Sequence, residues 1–170
     1  MAARVLVPLD GTPAGEVVLA RVAELARALQ AEIILMHVVP PRRESERQSR
    51  TIRPPIGLFG APSVLPDYSP SSTVLGYRYD PAEIESTRRY VERVAVWLQE
   101  EGLMASAVVV EGVDIAAAVV SAARDADWLA ISATMNPSTL GRAVFGSTLE
   151  RLLRESPIPI LFVRVPDAEN

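Results

Sequence analysis

Gly146-Ser147-Thr148 stands where a helix is expected to begin, and Pro8-Leu9-Asp10-Gly11 where a strand is expected to end. The first triplet carries anion chemistry. Free N–H groups and the positive end of a helix dipole attract a phosphate, and glycine lets the backbone approach it closely. The Ser147 and Thr148 hydroxyls add donors. A plainer reading stands beside it, in which Ser147 only caps its helix. Asp10 offers a carboxylate at the other position, either as a ligand contact or as the residue that shapes a strand-to-helix turn. The polar stretch Ser132-Ala133-Thr134-Met135-Asn136-Pro137 leads toward Gly146.

Other chemistry is excluded by composition. All 17 basic residues are Arg; there is no Lys, no Cys and a single His, His37. A Lys-ending phosphate loop, a Schiff-base lysine, a catalytic thiol and a Cys/His zinc site each need a missing residue. A Ser-His-Asp triad has only His37 to draw on. That residue lies in an apolar run with no second His or Cys, which favours a structural role. Asp125 and Asp127 precede a strand, so they are expected at the end of the sheet opposite a ligand. A net charge of −4 argues against a nucleic-acid partner held through phosphates. No apolar stretch reaches the ~18 residues of a membrane helix. Residues 1–10 lack the pattern of a signal peptide, so the expected compartment is the cytoplasm.

The elements that must position these residues alternate. Val5 to Leu9 reads as a strand; Thr12-Pro13 is a helix start, and that helix is expected to run to Leu29 with Val17, Val18, Val22, Leu25 and Leu29 as its apolar surface. Ile33 to Val39 is apolar without alternation, as in a strand covered on both faces. Asp80-Pro81-Ala82-Glu83 opens a helix ending near Glu101, with Gly102 as its stop and Ile84, Thr87, Val91, Val94 and Leu98 as its buried stripe. Glu85–Arg89 and Arg88–Glu92 are spaced as exposed ion pairs on it. A strand (Ala107 to Glu111), a helix (Ile115 to Arg124, capped by Asp114), a strand (Trp128 to Ser132), a helix (Ser147 to Glu155) and a strand (Ile158 to Val165) follow. This order predicts one α/β domain over residues 1–170, with a mostly parallel five-stranded sheet and helices on both faces. Residues 40–79 break the rhythm: they hold seven of the 14 prolines and a run of arginines, then Phe59, Tyr68, Tyr77 and Tyr79. This insertion is expected to be solvated in its first part and able to pack in its second.

The segments VLVPLDGTPAGEVVLARVAELA, ILMHVV, VEGVDIAAAVVSAARDADWLAIS and GSTLERLLRESPIPILFVR, taken in order, resemble a universal stress protein domain. The resemblance implies a sheet ordered 3-2-1-4-5, a Rossmann-like fold, and in many members a bound ATP or AMP. The nucleotide-binding signature of that family is Gly, two residues, Gly, nine residues, then Gly with Ser or Thr. Here it reads Ala133-Thr134-Met135-Asn136, nine residues, Gly146-Ser147, so both leading glycines are replaced. Asn tolerates a left-handed backbone, whereas Ala133 adds a methyl group and resists positive φ. By the resemblance, Pro8, Leu9, Asp10, Val38, Gly112, Ala133, Asn136, Gly146, Ser147 and Thr148 form the nucleotide site. Asp10 lies near ribose and base, Val38 beside the adenine and Gly112 at the end of the third strand. Val38 as core and Gly112 as a turn residue are the plainer alternatives.

Two functions follow. One is a homodimer, paired through Ile158 to Val165, that binds an adenine nucleotide in a stress response without rapid turnover. Mg²⁺ would enter only with a triphosphate, and slow ATP hydrolysis stays open. The other is a nucleotide-free interaction protein on the same scaffold, as the changes at Ala133 and Asn136 suggest. A nucleotidyl transferase is disfavoured, because neither a Ser-Gly-Gly loop after the first strand nor a His-x-Gly-His motif is present. Arg142, just before Gly146, is a further candidate for phosphate contact, and the aromatic part of the insertion for covering the nucleotide or reaching the partner subunit.

Overall fold

A computed structural model of the chain describes residues 2–43, 77–134 and 147–165. Their elements are β1 (Arg4–Pro8), α1 (Pro13–Glu16), α2 (Val18–Leu29), β2 (Glu32–Val39), β3 (Arg42–Arg43), β4 (Tyr77–Arg78), α3 (Pro81–Glu100), β5 (Met104–Glu111), α4 (Ile115–Ala123), β6 (Trp128–Thr134), α5 (Ser147–Glu155) and β7 (Ile160–Val165). Five strands form one parallel sheet in the order β5-β2-β1-β6-β7. Numbered among themselves, these strands give the expected order 3-2-1-4-5.

Successive strand residues point to opposite faces, so a sheet covered on both sides needs strands apolar at every position. On one face Val5, Val7, Leu9, Ile33, Leu35 and Ala130 pack with Val18, Leu19, Val22, Ala23 and Ala26 of α2 and with Ala95 and Leu98 of α3. On the other, Leu6, Met36, Val38, Leu129 and Ile131 meet Ala116, Val119 and Ala123 of α4 and Leu152 of α5. Each fully buried Leu or Val contributes about 1.5–3 kcal/mol.

The helix expected from Thr12 to Leu29 is divided at Val17. Thr12 does cap it, accepting from the Gly15 N–H at 3.0 Å. Across the sheet, however, the Ser132 hydroxyl lies within hydrogen-bond reach of the Ala14 and Gly15 carbonyls, at 2.8 and 2.9 Å. Those carbonyls would otherwise accept from Val18 and Leu19, so a side chain inserted into the ladder separates α1 from α2. The apolar stripe shifts with it: Val17 and Leu29 are exposed, and Leu19, Ala23 and Ala26 join Val18 and Val22 inside.

Asp80 caps α3 through the Ala82 N–H at 3.1 Å, and Gly102 ends it with φ +78°. Val91, Ala95 and Leu98 are its buried residues, and the Glu85–Arg89 pair forms at 3.4 Å. β5 begins earlier than expected, at Met104, because its full length pairs with β2. β6 runs on to Thr134 beside β7, while β7 starts only at Ile160, after Pro157 and Pro159. At the amino end of the sheet, Asp127 Oδ2 accepts the Arg4 N–H at 2.8 Å and the Asp127 N–H donates to the Arg4 carbonyl at 2.9 Å. That aspartate anchors a strand start, at the end of the sheet opposite the carboxyl edge. The stem of the insertion is a two-stranded antiparallel ribbon, Arg42 opposite Arg78 and Arg43 opposite Tyr77. Arg42 pairs with Glu83 at 2.9 Å and Asp80 at 3.9 Å. Phe59 and Tyr68 lie outside the described residues.

Candidate functional site at the carboxyl edge of the sheet

Parallel strands place all their carboxyl ends along one edge, where ligands of open α/β sheets bind. β1 ends there with Pro8 opposite Met36, and the Leu9 N–H extends the ladder by donating to the Met36 carbonyl at 2.8 Å. The Leu9 side chain is buried in the core beneath α2, so only its backbone faces the edge. Asp10 follows. Its Oδ1 accepts from the Thr12 N–H at 2.9 Å and from the Thr12 hydroxyl at 2.7 Å, which makes the turn an Asx turn.

Val38 is only 6% exposed and belongs to the layer under α4. Gly112, just past β5, donates its N–H to the Val39 carbonyl at 3.1 Å. A Cβ on Gly112 would lie 3.3 Å from Val38 Cγ1, so these two expected site residues are neighbours and any larger residue at 112 would press on Val38. Ala133 is in β6 opposite Arg164, in regular strand pairing. The position expected to need a left-handed glycine is therefore extended, a conformation that alanine adopts without strain. Asn136, Arg142 and Gly146 lie outside the described residues.

Ser147 and Thr148 open α5, are exposed, and line an open cleft of about 410 Å³ together with Val113, Asp114, Ile115, Ala116 and Arg151. The amino ends of α4 and α5 both reach this cleft, so two positive helix ends converge on it. Asp114 caps α4, its Oδ1 accepting from the Ala117 N–H at 3.0 Å, as expected. Arg151 was not singled out from the sequence. It stands four residues after Ser147, one turn along the same side of α5, and that spacing is the one signal pointing to it. Its guanidinium holds both Asp114 oxygens and reaches Glu155 at 3.4 Å. Hydrogen bonding from Arg151, helped by the Ala117 N–H, keeps the Asp114 carboxyl below the usual carboxylate range.

His37 sits on the opposite face of the sheet, near the same edge. It meets Tyr90 edge-on, with ring centroids 6.4 Å apart, and the Tyr90 hydroxyl donates to Glu16 at 2.7 Å. Among the described residues, His37 Nδ1 is the one buried side-chain polar atom without a hydrogen-bond partner. Burial lowers the His37 pKa, against the opposing pull of Asp10 and Glu83. Burial, then the Glu16 hydrogen bond, raises that of Tyr90. No group of three His, Cys, Asp or Glu among the described residues is arranged to hold a metal. No helix among them is long and apolar enough to cross a membrane.

The chain is similar in fold to several solved structures. One is a universal stress protein from Archaeoglobus fulgidus in complex with dAMP, with 15% identity and a TM-score of 0.62, covering 95% of this chain and 98% of that one. Another is a universal stress protein in complex with cAMP, with 18% identity and a TM-score of 0.58 over 96% and 97% of the two chains. A protein of the universal stress protein family from Burkholderia pseudomallei is 22% identical, with a TM-score of 0.56 over 95% and 96%. No curated protein sequence matches. The family model described as the universal stress protein family matches residues 1–52 and 64–164, and with the 3-2-1-4-5 sheet already in place, the chain belongs to that family.

Proposed function

We propose that this protein is a single cytoplasmic domain spanning residues 1–170 that binds an adenine nucleotide, holds it without rapid turnover, and acts as a homodimer in a stress response. The observation that carries this reading is the cleft at the carboxyl edge, where the starts of α4 and α5 converge beside Ser147 and Thr148. Relatives of the same fold bound to cAMP and dAMP support it. Gly146, Ser147 and Thr148 would hold phosphate through N–H and hydroxyl donors. Pro8, Leu9, Asp10, Val38 and Gly112 would border the nucleoside, and Ala133 and Asn136 would complete the site as the first two positions of the signature. The cleft volume suits a small ligand, and Mg²⁺ would arrive with a triphosphate. Asp114, the carboxylate in the cleft, is a weak base because Arg151 stabilises its ionised form. That favours holding a nucleotide over hydrolysing it.

The dimer reading rests on the two sheet edges. On β5, the Gln99 side chain donates to the Ala105 carbonyl at 2.7 Å and partly blocks pairing. On β7, Ile160 to Val163 are apolar and half-buried in the single chain, which suits self-complementary pairing across a two-fold axis. Light scattering tests it, and a monomer at on the order of tens of micromolar contradicts it.

The alternative, a nucleotide-free interaction protein, is favoured by Ala133 lying in regular strand and by Arg151 already being paired on two sides. Thermal melts separate the two readings. Ligand at ~100 times its dissociation constant adds about 2.7 kcal/mol, a rise of roughly 5–10 °C for a chain of this size. No rise with millimolar ATP, ADP or AMP selects the alternative. Where a rise is seen, Gly146→Val is expected to abolish it.

A further inference from the structure

We infer that Gly15 and Ser132 are positioning residues for ligand binding: together they hold the Asp10 carboxylate so that one oxygen is consumed by the turn and the other is left to accept from a ligand. This rests on the nucleotide reading and goes beyond it, since neither residue touches the cleft.

The geometry is a chain of contacts running from one strand to the next. Ser132 of β6 bonds to the Ala14 and Gly15 carbonyls and so pins α1 to the sheet. The Asp10 carboxylate leans over the bare Cα of Gly15. A Cβ there would overlap Asp10 Oδ1 and lie 3.2 Å from its Cγ and 3.4 Å from the Thr12 hydroxyl. Thr12 donates twice to that same Oδ1 and accepts from the Gly15 N–H. Carboxylate, hydroxyl and helix start therefore share one arrangement, and a methyl group on Gly15 would have to push the exposed Asp10 carboxylate aside.

The consequence is chemical. With Oδ1 taken up twice by Thr12, Oδ2 is, among the described residues, the acceptor left for a ligand. An ionised carboxylate only accepts, so its partner must be a donor, such as a sugar hydroxyl or an exocyclic amine. It also repels anions, whereas the starts of α4 and α5 attract them. Along one edge, these groups orient a nucleotide with its nucleoside toward Asp10 and its phosphate toward Ser147. Displacing the carboxylate through Gly15→Ala would weaken binding without altering any contact residue.

Calorimetric titration of AMP into wild type, Gly15→Ala, Asp10→Ala and the double variant tests this, with melting curves to establish that each is folded. Gly15→Ala and Asp10→Ala are each expected to weaken AMP by about tenfold, the scale of one hydrogen bond to a charged group, and the double variant no more than Asp10→Ala alone. Ser132→Ala should weaken AMP less, and only while Asp10 is present. Additive losses, or wild-type affinity in Gly15→Ala, overturn the inference. A second readout needs no nucleotide. The Thr12 amide proton, bonded to Asp10 Oδ1, should move upfield and exchange faster in Gly15→Ala, and an unchanged Thr12 signal overturns the positioning role. A wild-type chain that takes up none of AMP, ADP and ATP overturns the nucleotide reading and the ligand half of this inference, with the amide measurement still deciding whether Gly15 sets the carboxylate.

Discussion

Arg151 grips both oxygens of Asp114, with Nη1 2.8 Å from Oδ1 and 2.7 Å from Oδ2. Asp114 is also the cap of α4, so a single carboxylate closes one helix and tethers the next. The two side chains come from positions 37 residues apart and meet only because α4 and α5 pack side by side on one face of the sheet.

Substitutions at Asp114 separate these two roles. Asn retains capping ability and loses the charge, whereas Ala loses both. Asp114→Ala is expected to lower the melting temperature by about 2–4 °C, and Asp114→Asn by less. Equal losses would mean that the cap contributes nothing. The pH sign follows from the lowered carboxyls of Asp114 and Glu155, both caused first by hydrogen bonding from Arg151. Their stabilisation is present above the ordinary carboxylate values, 3.8 and 4.5, and is lost as pH falls through the lower folded values.

His37 predicts a loss of stability at milder acidity. Its folded pKa lies below the ordinary 6.5 because burial disfavours the charged ring, so the unfolded chain takes up the proton first. Stability is therefore full above 6.5 and falls as pH drops through that value toward the folded pKa. Denaturant unfolding between pH 7.5 and 5 should show a decline that His37→Gln reduces. An unchanged slope in the variant would place its source elsewhere.

Gly102 and Gly15 are glycines for different reasons, and alanine substitution distinguishes them. A Cβ on Gly102 meets nothing within 4 Å, but its φ is +78°, so Gly102→Ala should cost about 1 kcal/mol through backbone strain alone. Chemical denaturation should report that loss with AMP affinity unchanged. Gly15→Ala should show the reverse emphasis, a larger effect on affinity than on stability.

Leu129 is fully buried where β6 meets the layer of α4 and α5. Leu129→Ala should destabilise by roughly 2–5 kcal/mol, as large-to-small changes in a packed core do. A loss under 1 kcal/mol would mean that this layer collapses around the cavity.

Much of the fold was legible because its signals are local. Thr12-Pro13, Asp80-Pro81 and Gly102 mark helix boundaries through groups a few residues apart, and the structure keeps each of them. The break at Val17 was not legible, since its cause, the Ser132 hydroxyl, lies 118 residues from Ala14. Strand ends also escaped, because Met104, Thr134 and Ile160 become boundaries only through the strands paired beside them. At the site, Ser147 and Thr148 were readable as a helix start; Arg151 needed α4 beside α5 to acquire a partner.

By itself, the sequence determined which chemistry was available. Without Lys, and with one His, a phosphate has arginine as its main cationic partner, beside backbone N–H groups and neutral side-chain donors. It also determined the alternation of elements, since apolar periodicity and capping act over a few residues. The tertiary structure alone decided which of those groups share a place. It put Val38 beside Gly112, gave Arg151 to Asp114, and laid the Asp10 carboxylate on Gly15. The physical reason is the parallel sheet. Its crossovers bring chain segments far apart in sequence to one edge, and the contacts made there depend on packing that no short window of residues contains.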